Sequence, residues 1–592
     1  MKGHAESQSV KLKFFPENVD FVSLLENVNP EKPLEQFFIG LFEQKISAGE
    51  ERRTIKVFLP EKAKQGSNSV HIAVPSGVKT IEFLQKSGWM TIAKQSGLVL
   101  FAYEPNNQQW NNDDIDAEIN YFKMAFDVIN ERIYYNIMLG NFYFAGYGDG
   151  GEVLQRFIMA NPKVCAAMAI FDGSEDITID YMKRMGTELS DDPNLPKTEV
   201  PVPVWIISER ITENVQNVVN YWLSANDCES TVYLFEDGRQ FYASKGSLNE
   251  NVGIVRITEH KVNYYDQAFT HKVWNQFMKN FCRFGSAIYN NRLCKALDFA
   301  ELGIEHKTME VDGFTREWYE YVPVSRRTLG EKLPLVVALH GFGQTGEIFV
   351  GYSEWHKVAE ERGFVVVFPT GSIVSAGGKA IPKTGWNLNG SLGQADDYKF
   401  IAELVTNVKS RKNIDETRVY ISGQSMGSMM ANCLAMTMPE IFAAVGSMSA
   451  PILNIDKQTF EAYGLDDERF EFPNKVNPDY QIPVRLFIGE HDLWGGGSFE
   501  NSPAVKATIK YWIDRNDAGN VDEPFCYQPG ELFENKIYVN EQKVPMVQYT
   551  MTKNRGHNCI PQEMWLVWDE WFSKYTREAD GSIHFHVGYP WC

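Results

Sequence analysis

Long apolar runs, positive charge and closely spaced cysteines are scarce in this sequence of 592 residues. No stretch of eighteen apolar residues occurs, and the longest runs, such as 335–339 and 364–368, have the length of buried strands. Lysine and arginine number 57 against 77 aspartate and glutamate, so the net charge of −20 opposes phosphate backbones and anionic membrane surfaces. We therefore expect neither a nucleic acid nor a membrane as a partner.

The cysteines and the first residues bear on the cellular compartment. Eight cysteines are spread along the chain without the spacing of a zinc ribbon or a disulfide scaffold. Residues 1–16 are polar and mixed in charge, without the apolar centre of a secretory signal. We expect a soluble protein of the reducing cytoplasm, while export by a route without such a signal stays open.

Apolar residues are plentiful enough for packed cores. They make up 44% of the chain and aromatic residues 13%, which excludes a disordered or fibrous protein. The length leaves room for two to four domains. Short β-branched runs alternate with helical periodicity, most clearly in PLVVALH, FVVVFPT, RVYISG, FAAVGSMS and VRLFIGE. This alternation predicts the α/β class, with a mainly parallel sheet covered by helices on both faces.

The chain resembles itself once along its length. Four matching pairs of segments lie 263, 266, 277 and 290 residues apart, namely 53–60 with 316–323, 87–101 with 353–367, 143–151 with 420–428, and 221–222 with 511–512. The spacing only grows, as expected if the second copy carries loop insertions. We predict two homologous domains, residues 1–300 and 301–592, with a helical linker near 293–307. The alternative is the glycine and proline punctuation that any two α/β domains share.

The second copy contains a nucleophile motif at the end of a strand. RVYISG runs into Gly423-Gln424-Ser425-Met426-Gly427, and an apolar helical stretch follows. A G-x-S-x-G turn needs its glycines because the serine is strained and the strand and helix backbones approach closely. The motif alone arises by accident in long chains, so its strand-turn-helix context carries the prediction.

A serine hydroxyl needs an imidazole to take its proton and a carboxylate to orient that imidazole. In this type of fold the order along the chain is serine, acid, histidine. Asp492 follows the strand VRLFIGE, with Glu490 and His491 as close competitors, and His557 lies in the loop after the last strand, VPMVQYTM. We predict Ser425, His557 and Asp492 as the catalytic residues.

The negative charge of a tetrahedral intermediate needs backbone N–H donors. Met426 follows the nucleophile, and Phe342, or Gly341, lies in the glycine-rich loop after PLVVALH, although Gly341 and Gly343 can equally be plain turn glycines. Further substrate-binding candidates are Gly341, Gln424, Trp386 and Trp494; both indoles can stack on a ring at the rim or pack in the core. The loop 371–395 is a candidate substrate loop and the segment 454–480 a candidate lid.

These motifs together carry a resemblance to a known family. They comprise 340–345, 385–387, 396–397, 413–415 before RVYISGQSMGSMMANCLA, Gly489-x-x-Asp492, and Gly556-His557 before Pro561. Over residues 308–575 the chain resembles the polyhydroxybutyrate depolymerase and feruloyl esterase-like group of α/β-hydrolases, from which it departs at 426–428 and near Cys559. The resemblance implies two tandem α/β-hydrolase-like domains and a serine esterase acting on polyhydroxyalkanoate, hydroxycinnamoyl or acetyl-sugar esters, small or oligomeric.

The first copy lacks the catalytic residues. Gly148 stands in the register of Ser425, Pro75-Ser76 replaces His340-Gly341, and Thr212 and Tyr265 fall at Asp492 and His557. We therefore predict a non-catalytic N-terminal domain that shapes the catalytic mouth, recognises a polymeric or glycosidic substrate, or forms a homodimer interface.

Several alternatives accompany this interpretation. Residues 146–151 read as G-x-G-x-x-G with Asp172 beyond, the pattern of a dinucleotide site, and Asp149 is a conceivable replacement nucleophile. His584-x-His586 offers two metal ligands without a third. We expect neither a cofactor nor a metal. The rival functions are a peptidase of the same fold, or a binding or scaffold protein in which both domains are inactive.

Overall fold

The computed structural model describes most of the chain in two compact units. The described residues are 11–48, 51–111, 114–236, 238–285, 291–327, 330–375, 382–388, 395–451, 476–493, 501–528 and 530–586. Unit 1 is built mainly from residues 35–285, and unit 2 mainly from residues 297–592 together with the segment 20–34. That segment holds a short helix, α1 (Phe21–Glu26).

Unit 1 contains an 11-stranded sheet among the described residues. In chain order its strands are β1 (Leu12–Phe14), β2 (Gly40–Ala48), β3 (Glu51–Leu59), β4 (Ser67–Ala73), β5 (Val99–Tyr103), β6 (Ile137–Tyr147), β7 (Cys165–Phe171), β8 (Val204–Ser208), β9 (Tyr233–Phe235), β10 (Gly238–Tyr242) and β11 (Ile254–Glu259). The spatial order is β1-β2-β3-β5-β4-β6-β7-β8-β11-β10-β9. The six strands from β5 to β11 in this order are parallel. Antiparallel pairs, β3 with β5 and β10 with β11, adjoin this group on its two sides, and the outermost pair β1–β2 is parallel.

Helices cover both faces of this sheet. They are α2 (Thr80–Lys86), α3 (Trp89–Ser96), α4 (Ile115–Glu131), α5 (Gly148–Ala160), α6 (Ile179–Thr187), α7 (Glu213–Ala225) and α8 (Gln267–Gln276), with 3₁₀ turns at Asn106–Gln108, Pro162–Val164, Lys197–Glu199 and Met278–Asn280. Alternate residues of β6 serve the two faces, since Phe142 and Phe144 pack with α4 to α7 whereas Tyr143 and Ala145 pack with α2, α3 and α8. Both faces are buried, which explains the unbroken apolar runs of the central strands.

Unit 2 repeats this plan with a 10-stranded sheet in the described part of the chain. Its strands are β14 (Ile304–Val311), β15 (Phe314–Tyr321), β16 (Leu333–Leu339), β17 (Val365–Pro369), β20 (Ile414–Gln424), β21 (Ala444–Met448), β22 (Val484–Gly489), β23 (Phe525–Tyr527), β24 (Phe533–Val539) and β25 (Pro545–Thr552). The order β14-β15-β17-β16-β20-β21-β22-β25-β24-β23 again contains six neighbouring parallel strands, β17 to β25.

Helices and small hairpins complete unit 2. The helices are α9 (Phe299–Leu302), α10 (Gly346–Ser353), α11 (Trp355–Arg362), α12 (Asp397–Arg411), α13 (Met426–Thr437), α14 (Pro503–Asn516) and α15 (Pro561–Glu570), with 3₁₀ turns at Val324–Arg326, Pro439–Ile441 and Phe572–Lys574. Two-stranded hairpins pair β18 (Ser372–Val374) with β19 (Lys383–Gly385) and β26 (Tyr575–Arg577) with β27 (Ile583–Phe585). On β20, Val419 and Ile421 join the core beneath α12 to α14, and Tyr420 stacks on Phe572 at 4.7 Å on the opposite face.

The predicted α/β class is confirmed by these mostly parallel sheets with helices on both faces. The expected helical linker near 293–307 is helical only in part, over α9 (Phe299–Leu302). Before it, β13 (Arg292–Lys295) pairs with β12 (Phe281–Phe284) in a two-stranded sheet, and after it β14 begins at Ile304, within the predicted linker. Backbone pairing with a neighbouring strand overrides the local helical pattern there. Among the described residues, no helix combines the length and apolar composition that crossing a bilayer requires.

Candidate active site

Ser425 lies at the turn between β20 and α13, with φ at +54°. A positive φ is strained for a residue with a side chain, and here it lifts the hydroxyl above the end of the sheet. The flanking glycines permit the turn, because a Cβ at Gly423 would lie closer than 3.0 Å to the Gly427 backbone and one at Gly427 would meet the carbonyls of Leu339 and His340 as closely. Only glycine therefore fits at either position.

The three predicted catalytic residues, Ser425, His557 and Asp492, lie together at the carboxyl edge of the sheet of unit 2, and their chain of hydrogen bonds is called the relay below. The Ser425 Oγ is 2.8 Å from Nε2 of His557, and Nδ1 of the same ring is 3.0 Å from Oδ1 of Asp492. The Asp492 side chain is fully buried, whereas 29% of the His557 side chain is exposed. This geometry lets the carboxylate hold the Nδ1–H tautomer, in which Nε2 can accept the serine proton.

The two neighbours that competed with Asp492 serve elsewhere. Glu490 accepts a hydrogen bond from the Asn554 amide at 2.8 Å, and the His491 side chain is exposed. The His491 amide donates to the Arg555 carbonyl at 2.8 Å, so the loop that carries the acid is bonded to the loop that carries the histidine.

The two amides predicted to stabilise an oxyanion lie on adjacent segments. Met426 opens α13, where the first amides of a helix have no partner within the helix. Within the described part of the chain, neither the Phe342 nor the Met426 amide donates a hydrogen bond to a protein acceptor. A Cβ at Gly385 would lie within about 3.0 Å of both side chains, so the Phe342 ring and the Met426 sulfur meet at one place.

His340 fixes the loop that carries Phe342. Its Nε2 accepts a hydrogen bond from the Gly371 amide at 2.9 Å, so the proton resides on Nδ1, which donates to the Gly341 carbonyl at 2.8 Å. Burial lowers the pKa of His340 to about 4, so the ring is neutral at ordinary pH. The Gly343 amide donates to the Thr384 carbonyl of β19 at 2.7 Å, which attaches the same loop to the hairpin.

Three substrate-binding candidates have other roles. The Trp386 indole is fully buried and donates through Nε1 to the His340 carbonyl at 2.7 Å, so of the two alternatives for this residue the structure shows packing in the core. Gln424 is also buried and donates to the His557 carbonyl at 3.1 Å, and Gly341 lies against its amide. Trp494, most of the segment 454–480 and two parts of the loop 371–395 lie outside the described residues.

Unit 1 has the same turn with different chemistry. Gly148 opens α5 with φ at +51°, at the position of Ser425. By sheet register, Val74 and Pro75 of unit 1 are equivalent to His340 and Gly341 of unit 2, one residue earlier than the sequence comparison suggested. Ser76 is therefore equivalent to Phe342. A Cβ at Gly148 would lie 2.9 Å from the Tyr264 hydroxyl.

The carboxylate of Asp149 fills the remaining space at this turn. Its Oδ1 accepts hydrogen bonds from the amides of Ser76 at 2.9 Å and Gly150 at 3.0 Å, and its Oδ2 accepts from the Ser76 hydroxyl. A dinucleotide pyrophosphate would occupy this helix N-terminus, where the carboxylate would repel it. These contacts argue against the dinucleotide interpretation of 146–151, and the hydrogen bonds on both oxygens argue against Asp149 as a nucleophile.

Residues 319–464 match the model of the family Esterase PHB depolymerase, a range that includes Phe342 and Ser425. The C-terminal region carries a domain of this family. Poly(3-hydroxyalkanoate) depolymerase C of Paucimonas lemoignei is 35% identical to this chain over 238 residues, 38% of this chain and 54% of the relative. The predicted resemblance to polyhydroxybutyrate depolymerases is confirmed.

Fungal esterases match shorter parts of this chain. Feruloyl esterase B of Neurospora crassa is 33% identical over 135 residues, 22% of this chain and 42% of the relative. Probable acetylxylan esterase A of Neosartorya fischeri is 33% identical over 126 residues, 21% of this chain and 32% of the relative. The chain thus spans between about a third and a half of these relatives. An acetyl xylan esterase structure from Aspergillus awamori aligns with 45% of the chain and 99% of its own, at 20% identity and a TM-score of 0.31.

Sequence reasoning missed residues that surround the relay. Arg555, two residues before His557, is fully buried and bonded to several segments at once, and His340 orients the oxyanion loop. A charged residue two positions before His557 was the available signal for Arg555. No group of three or more His, Cys, Asp or Glu side chains among the described residues is placed to hold a metal ion.

Proposed function

We propose that the chain is a serine carboxylic ester hydrolase in which unit 2 performs the reaction. The observation that carries the proposal is the continuous relay from the Ser425 hydroxyl through His557 to the buried Asp492 carboxylate, at 2.8 and 3.0 Å. The positive φ of Ser425 and the membership of the surrounding domain in an esterase family support it. A serine activated in this way attacks carbonyl carbons.

The proposed reaction follows from the positions of these groups. The Ser425 oxygen bonds to the ester carbonyl carbon while its proton moves to Nε2 of His557, and the amides of Phe342 and Met426 hold the resulting oxyanion. Asp492 stabilises the imidazolium. The intermediate collapses, the alcohol leaves with the proton from His557, and an acyl-serine ester remains. Water, deprotonated by His557, then releases the acid and restores Ser425. The sequence of steps needs no cofactor.

The substrate classes come from the relatives. Esters of hydroxycinnamic acids, acetylated sugars and hydroxyalkanoates are the candidates, in small or oligomeric form, since the matching proteins are named as feruloyl and acetylxylan esterases and a poly(3-hydroxyalkanoate) depolymerase. Methyl ferulate, acetylated xylan and hydroxybutyrate oligomers assayed side by side separate the three classes. The preferred substrate is the one with the highest Ser425-dependent kcat/KM.

Unit 1 is proposed to be a non-catalytic copy of unit 2. Both units have the same order of six parallel strands, and buried polar contacts recur at equivalent places. In unit 1 they are Arg53 to Glu118, Trp110 to the Val74 carbonyl, Trp222 to Gln155 and Tyr143 to the Phe281 carbonyl. Their counterparts in unit 2, in the same order, are Arg316 to Asp397, Trp386 to the His340 carbonyl, Trp512 to Asn432 and Tyr420 to the Tyr575 carbonyl. Such side-chain contacts are not required by the fold class, so descent from one ancestral domain explains them best.

The loss of function in unit 1 has a physical basis. Glycine at position 148 offers no hydroxyl, and the Asp149 carboxylate accepts the hydrogen bond of the Ser76 amide, which corresponds to the Phe342 amide of unit 2. An ester oxygen would find that donor already used and a negative charge beside it. We therefore place the chemistry in unit 2 alone.

Hydrolysis of p-nitrophenyl acetate and butyrate tests the proposal. Wild type is expected to turn over both esters and to react with a fluorophosphonate, and Ser425→Ala is expected to lose both properties. Ser410→Ala, at an exposed serine of α12, is the matched control and is expected to behave as wild type. Peptide cleavage with poor ester turnover would favour the peptidase alternative, and absence of both turnover and labelling in wild type would favour a binding protein.

A further inference from the structure

Arg555 is a buried cation within the candidate active site. Its side chain has no exposed surface, and its Nη1 donates to the Ser449 hydroxyl and to the carbonyls of Asn558 and Gly556, the last at 3.1 Å. A buried guanidinium is costly unless opposite charges and hydrogen bonds compensate it. The charged partners are Glu563, whose Oε1 is 2.8 Å from Nε, and Asp492, whose Oδ2 is 3.8 Å from Nη1.

The contacts of Arg555 join the segments that carry the relay. Ser449 follows β21, directly after Met448, whose carbonyl accepts the hydrogen bond of the Ser425 amide at 2.8 Å. Asp492 follows β22, and the carbonyls of Gly556 and Asn558 flank His557. The Arg555 guanidinium thus bonds to Ser449 and to the carbonyls on both sides of His557, and it lies near Asp492. Its planar set of donors suits this purpose better than a single ammonium would.

Glu563 anchors the other end of this arrangement on α15. It is fully buried, accepts hydrogen bonds from the Thr552 hydroxyl at 2.5 Å and the Ile560 amide at 3.1 Å, and thereby joins the end of β25 to the start of the helix. The charged and titratable groups facing Arg555 are Asp492, Glu563 and, beyond Asp492, His557. The two carboxylates and one guanidinium leave one negative charge, which the imidazolium formed during the reaction would balance.

Unit 1 lacks this arrangement at the equivalent place. The helices α8 and α15 share the register of Trp274 and Trp568, which puts Phe269 at the position of Glu563. Thr212 stands where Asp492 does. A fold that needed a buried ion pair for its own stability would need it in both units, so the pair accompanies the catalytic residues rather than the sheet.

We propose that Arg555 is a positioning residue that, held by Glu563, fixes the His557 loop and the Asp492 carboxylate in the geometry required for the ester hydrolysis proposed above. Asp492 then presents Oδ1 to His557 while the charge of Arg555 lies 3.8 Å from its other oxygen. Nothing in the steps of the reaction touches Arg555 itself. Its loss lowers the rate of the chemical steps without weakening the capture of substrate.

The test removes the ion pair without leaving an unpaired buried charge. Replacement of both partners by apolar residues, Arg555→Met with Glu563→Leu, retains the volume and avoids the cost of a single buried ion. The matched control is Arg485→Met with Glu570→Leu, another ion pair of a buried arginine in unit 2, at 3.2 Å, that does not touch the relay. Arg555→Lys keeps the charge and loses the planar fork.

The expected kcat of the Arg555→Met/Glu563→Leu variant, measured on p-nitrophenyl butyrate, is on the order of 10- to 100-fold below wild type, because small misplacements of reacting groups cost that much. KM is expected to stay within about twofold, Arg555→Lys to be intermediate, and the Arg485 control to equal wild type per folded molecule. Equal kcat in wild type and the Arg555 double variant would overturn the positioning role alone. A wild type without Ser425-dependent turnover would overturn the proposed function and this proposal with it.

Discussion

At the scale of single residues, the tight turn around Ser425 depends on two hydrogen atoms in place of side chains. The Gly427 backbone lies against the carbonyls at the end of β16, and the same closeness brings the Met426 amide beside the loop of Phe342. The close contact at Gly427, which excludes a Cβ, thus also sets the distance between the Phe342 and Met426 amides.

Gly427→Ala is expected to disrupt unit 2. The added methyl would lie closer than 3.0 Å to backbone carbonyls, which cannot move aside as a side-chain tip can. We expect a loss of stability of about 3 kcal/mol or more, comparable to severe overpacking, together with loss of ester turnover. Gly186→Ala, where the nearest atoms lie at 3.6 Å and belong to a side chain, is the control. Thermal unfolding of both variants checks this, and an unchanged melting temperature for Gly427→Ala would contradict it.

His340, which fixes the loop that carries Phe342, makes the stability of the folded chain depend on pH. Its pKa of about 4 in the folded chain lies below its ordinary value of 6.5, so the unfolded state binds the proton first as the pH falls. The stability that the neutral ring contributes is complete above pH 6.5 and is lost as the pH falls towards 4. The slope is about 1.4 kcal/mol per pH unit between these limits.

A His340→Gln variant is therefore expected to lose less stability than wild type between pH 6.5 and 4. Glutamine does not titrate, so the difference in unfolding free energy between the two proteins should shrink as the pH falls. Denaturant unfolding of both proteins at several pH values measures this difference. A difference that stays constant over that range would contradict the assignment of a neutral, buried His340.

At the scale of elements, the strands were readable from the sequence and several contacts between loops were not. The six parallel strands of each unit appear as apolar runs because both sheet faces are covered. The partner of the Trp386 indole could not be read from the sequence, because it is the His340 carbonyl, 46 residues away in the chain. The side chain of Arg555 bonds to segments between 449 and 563, and no local pattern records such a convergence.

The turn between β6 and α5 offers a test of the sister unit. Asp149→Ala leaves the Ser76 amide and hydroxyl without their acceptor, so we expect unit 1 to lose about 1–3 kcal/mol of stability. Ester turnover per folded molecule should not change, because the chemistry is placed in unit 2. Asp127→Ala, at an exposed position of α4, controls for the lost charge. A fall in kcat for Asp149→Ala without unfolding would contradict the assignment.

At the scale of the whole molecule, the sequence repeat anticipated two similar sheets, and the three residues proposed as catalytic lie in only one of them. The resemblance to esterases could be recognised because the motifs around 340, 425, 492 and 557 lie at strand ends, where function constrains sequence. The departures in unit 1 were readable as lost residues. The hydrogen bond of the Asp149 carboxylate with the Ser76 amide was not readable from the sequence, since it depends on the three-dimensional position of Ser76.

A serine introduced into unit 1 is expected to remain inert. Gly148→Ser in the Ser425→Ala background restores a hydroxyl at the turn, but Tyr264 lies against it and Asp149 occupies the adjacent donors. Neither ester turnover nor fluorophosphonate labelling should return. Recovery of either one would mean that unit 1 retains a working site.

The most direct measurement is to label the intact chain with a fluorophosphonate and map the adduct by mass spectrometry of its peptides. The account predicts a single modified residue, Ser425, with labelling lost in His557→Gln as well as in Ser425→Ala. An adduct on another serine, or ester turnover that survives in Ser425→Ala, would contradict it.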